Sequence, residues 1–351
     1  MLVTKLNLTA NRRFFTWCGA ALFLCIGVGW ATNYKAADPR NGQVDLPLTP
    51  SLVVGSDACA KCHAAEVNAW KQTPHHETFL TLHRKPQAQE IAKKMGVSSF
   101  KHDSACIKCH YSMQEQATGL EPIAGVSCES CHGAAKNWVD LHHDYGGAGV
   151  KRDQESAAHR HERLVSSINK GMRNPENVYL VAQSCYRCHT VPDEKLVNVG
   201  GHAPGSLNFE LVAWSQGRIR HNFVRSDGKV NDPSNPARLR VMFVSGMIAD
   251  LEFSLRATAE ATAKDTFGTT SAGRAARAAK RIAAAQEKLN QPLLEDVLKA
   301  FKSVSLKLNN REQLIGAADT IAELGVRFAA TVDGSQLTSL DAFIPKPDQW
   351  K

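Results

Sequence analysis

The apolar and polar positions divide this 351-residue chain into stretches of different texture. Phe14 to Ala31, FFTWCGAALFLCIGVGWA, is apolar for 18 consecutive residues, near the lower limit for crossing a bilayer. It defines an N-terminal segment, 1–32. Residues 33–54 are polar and spaced by proline, as a linker is. From 55 to 222 few segments keep a helical or strand period, and turn residues are frequent. From 223 to 351 the helical period returns. In RVMFVSGMIADLEFSLRATAEATA, Phe243, Met247, Leu251 and Leu255 recur every four residues, with Val244 and Ile248 beside them; that spacing lines one face of a helix. Three more helices are expected there. SAGRAARAAKRIAAAQEKL is alanine-rich with Arg274, Arg277 and Arg281 on a basic face. PLLEDVLKAFKSV has Pro292 in its first turn, and NREQLIGAADTIAELGVRFAATV has Asn310 as a candidate cap. Together they read as a helical bundle or hairpin.

The poorly periodic stretch 55–222 must take its core from something other than its own apolar faces. The cysteines say what. Of ten in the chain, eight fall into four copies of one pattern: Cys59, Cys62 and His63 in CAKCH; Cys106, Cys109 and His110 in CIKCH; Cys128, Cys131 and His132 in CESCH; Cys185, Cys188 and His189 in CYRCH. Cys-x-x-Cys-His is the attachment signature of c-type haem. The two thiols add to the haem vinyl groups, and the histidine behind them ligates the iron. Structural zinc also uses Cys-x-x-Cys pairs, but it has no need of a histidine after the second cysteine each time. A disulfide framework explains neither the spacing nor the histidines. The pattern therefore implies four covalently bound haem c groups, with His63, His110, His132 and His189 as proximal ligands. The expected fold is mainly α: short helices after each motif and loops around stacked haems, little sheet, and the helical C-terminal part.

All fourteen histidines lie between His63 and His221, and from Asn222 onward there is neither histidine nor cysteine. The last third cannot ligate iron through either residue type. A low-spin electron-transfer haem takes a second axial ligand, and histidine is the natural donor here; Met113 and Met172 are alternatives. His75, in AWKQTPHHETF, is too close in sequence to His63 to cap that haem and is expected to cross to another. His142 follows His132 by ten residues, on the chain leaving the third motif, free to reach a different haem. His76 and His143 are adjacent spares. His202 follows two glycines that permit close backbone approach to a flat ligand. His83, His102 and His221 are further possible distal ligands.

Charge adds a qualification. The formal net charge of +8 suggests nucleic acid, but two propionates on each of four haems bring roughly eight negative charges, and the stacking aromatics of a nucleic-acid binder are not apparent. No nucleic-acid partner is expected. Lys5, Arg12 and Arg13 precede the apolar run and Trp17 and Trp30 sit near its ends, which places the N-terminus in the cytoplasm. ATNYKAAD is a weak cleavage sequence, so a retained membrane anchor is expected rather than a removed signal. Cys18 and Cys25 within it read as apolar filler. The rest of the chain is expected on the periplasmic side of a bacterial inner membrane.

AWKQTPH, GVSCESCHGAAKNW…LH and CYRCHT resemble the tetrahaem cytochrome c-554 family and related multihaem c-type cytochromes, from about Gly55 to about His189. GGHAPGSLNFEL is similar to a segment of larger multihaem cytochromes. The resemblance implies three bis-histidine haems and a five-coordinate second haem, with His142 capping the first and His75 another. The family also has a histidine shortly before the fourth motif. NVYLVAQSC has none, and His202 is the expected substitute as cap of the fourth haem. Any of His83, His102 and His221 could cap the second haem and close the site that the family leaves open.

Two functions follow. The first is a membrane-anchored tetrahaem electron carrier between a quinol pool or oxidoreductase and a periplasmic redox partner. The second is a haem enzyme converting nitric oxide, nitrite or hydroxylamine at an open five-coordinate haem. The sequence holds no lysine-ligated variant motif and no distal catalytic set, which favours the carrier. A third reading, a structural subunit docking through its haem-free helices, is compatible with it.

Overall fold

Short polar caps decide where the motif-bearing helices begin. In the computed structural model, which describes residues 48–351, the first part of the chain runs α1 (Ser56–Ala60), α2 (Ala64–Trp70), α3 (Pro74–Thr81), α4 (Pro86–Met95) and α5 (Ser104–His110). An antiparallel hairpin of β1 (Ser112–Gln116) and β2 (Gly119–Ala124) follows, with Gln116 opposite Gly119. Then come α6 (Cys128–His132), α7 (Ala157–Asn169), α8 (Val178–His189), α9 (Glu194–Asn198) and α10 (Leu211–Ser215). Asp103 caps α5 by accepting from Ala105 N–H, and Asn177 caps α8 by accepting from Tyr179 N–H. At α6 the Ser130 hydroxyl reaches back to Ser127 N–H at 3.0 Å, half of a capping box.

The motifs sit within helices rather than before them. The second ends α5, the third is α6 itself, the fourth ends α8, and the first runs from α1 to His63 at the start of α2. One helical turn explains this. Residues three and four apart share a face, so both cysteines and the histidine of one motif point to one side. In the first motif the same turn is closed by His63 N–H donating to Cys59 O at 2.9 Å.

The last part of the chain is four longer helices: α11 (Pro236–Glu260), α12 (Thr266–Leu289), α13 (Pro292–Lys302) and α14 (Arg311–Thr331). α11 is the centre, packed against α12, α14 and α8. Phe243, Met247, Leu251 and Leu255 are all buried, and so are Val244 and Ile248. Each such side chain contributes about 1.5–3 kcal/mol on removal from water. The apolar core runs from these residues into Tyr179, Ala182 and Tyr186 of α8, so the helix that carries the fourth motif is seated on the bundle.

Two expectations about this part are corrected. Arg274 does not share a basic surface with Arg277 and Arg281. It is buried, its Nε 2.6 Å from Asp250 Oδ1, because α12 turns that side toward α11. Asn310 stands at the start of α14 but does not cap it through its side chain, which donates to Ser305 O at 2.8 Å.

The apolar run Phe14–Ala31 and most of the linker lie outside the described residues. Among those described, no helix is long and apolar enough to cross a membrane.

Candidate haem centres

Each motif histidine has a second histidine ring across from it. The ring centroids of His63 and His142 are 6.1 Å apart, those of His110 and His202 6.5 Å, those of His132 and His221 6.1 Å, and those of His75 and His189 6.4 Å. An imidazole nitrogen binds a metal at about 2 Å, so two rings on opposite sides of one metal hold their centroids about 6 Å apart. The gaps fit one iron each, four times over, and the cysteines of each motif stand beside one ring of the pair. The donor set suits haem rather than zinc: among the described residues no three His, Cys, Asp or Glu side chains gather as a closed zinc site needs. The eight motif cysteines are free thiols, not disulfides.

The other ring nitrogens show how the imidazoles are aimed. His142 Nδ1 is 2.6 Å from Val139 O, His202 Nδ1 2.8 Å from Ala203 O, and His221 Nδ1 2.7 Å from Ile219 O. His132 Nδ1 is 3.4 Å from Arg173 O. A carbonyl only accepts, so each Nδ1 carries the proton and each Nε2 keeps its lone pair for a metal. His189 differs: its Nδ1 is 3.0 Å from the Ser206 hydroxyl. His63 differs too, with Glu66 Oε1 3.8 Å from its Nδ1. Burial pushes His132 and His110 down to about 4 and His189 to about 3, the neighbouring rings adding to it; burial also lowers His75 and His142. These imidazoles are neutral at physiological pH, the form that ligates.

Close approach of the backbone brings the motifs together. At Gly125 a Cβ would lie 2.4 Å from His75 O, and Val126 N–H donates to that same oxygen at 3.0 Å. This seats His75 on the chain entering the third motif. At Gly133, φ is +86° and a Cβ would lie 2.1 Å from Gly171 O, so only glycine fits directly behind His132. The contacts also set an order. Cys59 of the first motif and Cys128 of the third lie close enough to act on each other's thiols. Ser184 of α8 donates to Cys131 O at 2.8 Å, joining the third motif to the fourth. Cys188 of the fourth and Cys109 of the second lie close enough to act on each other's thiols. The series runs first, third, fourth, second.

The placement of the candidate ligands differs from expectation in several ways. His202 faces His110 of the second motif and not His189 of the fourth, because the segment after α9 turns back toward α4. His75 takes the place opposite His189. His221 faces the third motif, not the second. The positions opposite the motif histidines are thus filled by His75, His142, His202 and His221. His83 and His102 stand elsewhere, His83 accepting from Arg84 Nε at 3.3 Å and His102 exposed. His76 packs edge-on to Trp70, and His143 is exposed beside His142. Met113 is buried with Ile107 and Tyr111, and Met172 Sδ accepts from Asn174. Opposite the second motif, where the resemblance implies an open site, the His202 ring stands 6.5 Å from that of His110.

Sequence reasoning missed three supporting residues. Glu129, between the cysteines of the third motif, is buried and accepts from Val54 N–H at 3.0 Å, Gly55 N–H at 2.9 Å and Ala135 N–H at 2.8 Å. Burial raises its pKa against those three donors. Its carboxylate ties the chain entering the first motif to the third. A carboxylate inside a motif was the available signal. Arg274 donates to His189 O at 2.9 Å, and Ser206 faces the same histidine's ring; neither has a local signature.

Comparison with known proteins bears on the motifs themselves. Residues 58–133, which hold the first three motifs, match the family described as cytochrome c554 and c-prime. Cytochrome c-554 of Nitrosomonas europaea is 31% identical over 143 residues, 38% of this chain and 59% of that protein. The likeness carried by the first three motifs is to the c-554-like multihaem c-type cytochromes. Haem c, covalently attached, is the cofactor that such a cytochrome implies. The C-type polyheme cytochrome OmcB of Geobacter sulfurreducens is 28% identical over 127 residues, 28% of this chain and 15% of OmcB. The chain thus spans about three-fifths of the first relative and a small part of the second. No solved structure matches it. The fold is mainly helical, with one small hairpin among the described residues, consistent with a mainly-α cytochrome c.

Proposed function

We propose that this cytochrome carries four haem c groups and relays electrons along the series first, third, fourth, second. It would stand on the periplasmic side of the inner membrane, anchored through Phe14–Ala31, between a quinol pool or oxidoreductase and a periplasmic redox protein. Haem, when bound, supplies an iron that changes oxidation state by one electron. The chain's own part is to hold and close each site. Cys59 and Cys62, Cys106 and Cys109, Cys128 and Cys131, and Cys185 and Cys188 anchor the groups. The pairs His63–His142, His110–His202, His132–His221 and His189–His75 would hold the irons through their imidazole nitrogens. The protonated Nδ1 atoms hold the rings in place, so little needs to move when the charge changes.

The observation that carries this reading is that no motif histidine lacks a histidine opposite it. It favours a carrier over an enzyme, since an enzyme acting on a small nitrogen compound needs an open iron, and His202 occupies the position where one was expected. The test is a haem count by pyridine haemochrome and intact mass together with a low-temperature electron paramagnetic resonance spectrum. Four haems, all low-spin, are expected. A high-spin haem that binds nitric oxide in the unaltered protein overturns the carrier in favour of the enzyme. A soluble protein whose mature N-terminus lies near Ala37 overturns the anchor.

A further inference from the structure

The two ends of the series differ in charge. Around the first motif, Asp57, Glu66 and Glu77 balance Lys61 and Lys71. Around the second, Arg84, Lys85, Lys93, Lys94, Lys101 and Lys108 face only Glu90 and Asp103. Both carboxylates are engaged: Glu90 lies 3.5 Å from Lys94 Nζ, and Asp103 caps α5.

Lys85, Lys94 and Lys108 lie near the His110–His202 pair. Gly200 is packed so closely on α4 that a Cβ there would meet Met95 at 3.0 Å, and at Gly201 a Cβ would lie 3.6 Å from Lys94 Nζ. The loop carrying His202 therefore lies along the lysine-bearing end of α4. Lys85 is close enough to His110 to act on it electrostatically. Lys108 is exposed two residues before His110. Next to this loop Val199 is 54% exposed. An apolar spot with a charged rim is the usual make-up of a transient docking surface.

We propose that the second-haem end is the docking surface for an acidic redox protein, which meets Val199 and the His202 loop inside a rim of Lys85, Lys93 and Lys94. The inference rests on the relay reading above and adds which end exchanges electrons with a soluble partner, and the charge of that partner. Opposite charge raises the encounter rate and orients the partner before contact, and salt removes the gain.

The experiment uses the full-length protein with its haems and flavodoxin hydroquinone as an acidic electron donor. Stopped-flow reduction is followed against ionic strength. The variant Lys85→Glu, Lys93→Glu, Lys94→Glu is compared with a control of equal charge change, Lys71→Glu, Lys151→Glu, Lys302→Glu. For the unaltered protein the second-order rate constant should fall as salt rises. The rim variant should lose about tenfold at low salt and its salt dependence should vanish or reverse, while the control stays within about twofold. Equal losses in both variants, or none in the rim variant, overturn the proposal. So does a rim variant whose haem potentials move while its reaction with flavodoxin is unchanged, since the lysines then serve the haem's own carboxylates. Reduction by dithionite separates the two levels of the argument. If dithionite does not reduce four haems in the unaltered protein, the relay reading fails first.

Discussion

Residues 48–222 and residues 236–340 solve the problem of an interior in opposite ways. In the second region the chain is its own core. α11 buries Leu251, Leu255, Ile248 and Val244, and α14 meets it with Leu314, Ala318, Ile321 and Phe328, all buried. Before α8, the first region gathers one small apolar cluster, Ile107, Tyr111 and Met113 with Phe79, Leu82, Phe100 and Cys106 around it. Its remaining interior is organised around facing histidines. One region is specified by side-chain periodicity, which a helix needs to bury a face. The other is specified by ligand positions, which leave no periodic trace. The two meet at α8, whose first turns belong to the bundle core and whose last turn is the fourth motif.

The largest expected effect separates them by withholding the cofactor. In a host that cannot attach haem, the chain should keep the helices of the second region and lose the first. Hydrogen exchange followed by mass spectrometry should find slow amides confined to α11–α14 and the adjoining start of α8. Residues 48–177 should exchange as an unprotected chain, since so small an apolar cluster cannot offset the cost of ordering, about 1–2 kcal/mol per residue for the backbone. Equal protection in both regions would mean that the first has a core independent of haem, and the contrast would fail.

The next effect is on single ligands. His202→Ala should leave four haems attached, because thioethers and proximal histidines survive, and should turn one haem from low-spin to high-spin with an open position that binds carbon monoxide. His142→Ala should do the same at the first haem and His143→Ala should not. Such changes should leave the unfolding of the helical region as it was. If His83→Ala or His102→Ala opens a haem and His202→Ala does not, the pairing across α4 is wrong.

These ligands also show what could be read from the sequence. The α11 helix was legible because Phe243, Met247, Leu251 and Leu255 keep the period that burial demands. The four motifs were legible because one helical turn fixes their spacing. The likeness of the GVSCESCH stretch to a family directed His142 to the first motif, and the structure sets its ring across from His63. The partner of His202 was not legible. It is nearer in sequence to His189 than to His110, and only the turn after α9 carries it to the second motif. His221 was left open for the same reason: pairing is decided by tertiary approach. Arg274 was misread because an arginine repeated on an alanine-rich helix looks solvated until its buried partner, Asp250, is known.

A smaller effect belongs to the helical region alone. Glu252 is fully buried and accepts from Tyr179 Oη at 2.6 Å, Gln183 Nε2 at 3.0 Å and Arg256 Nε at 2.9 Å. Arg256 also pairs with Asp319 at 2.9 Å. Glu252→Ala strands three donors. Breaking a buried pair costs about 3–5 kcal/mol, and since Arg256 keeps Asp319 the lower end, about 3 kcal/mol, is expected. Urea unfolding followed by circular dichroism measures it. The haem count and spin states in the native protein should not change. If they do, the bundle reaches further into the haem region than the core at α8.

The smallest effect tests the joint itself. His189 is the one proximal ligand whose Nδ1 meets a hydroxyl, that of Ser206, and whose carbonyl is held by a residue of the bundle, Arg274. An acceptor at Nδ1 makes an imidazole a stronger donor and so favours the ferric state. Ser206→Ala should therefore raise the potential of the fourth haem. A hydrogen bond of this kind is worth about 1 kcal/mol, and a one-electron potential moves about 59 mV for each tenfold change in equilibrium, so the shift should be at most about 40 mV. Ser206→Thr, which keeps the hydroxyl, should restore the potential. Arg274→Gln removes a buried positive charge that pairs with Asp250 and donates to the same histidine's carbonyl. Losing a nearby positive charge lowers a haem potential, so the sign is opposite to that of Ser206→Ala. Spectropotentiometric titration resolves both. If the two substitutions shift the same haem in opposite directions while the other haems stay put, the bundle is a tuning element for one site. If both shift it the same way, the change is a repacking of α8 and not an effect on the ligand.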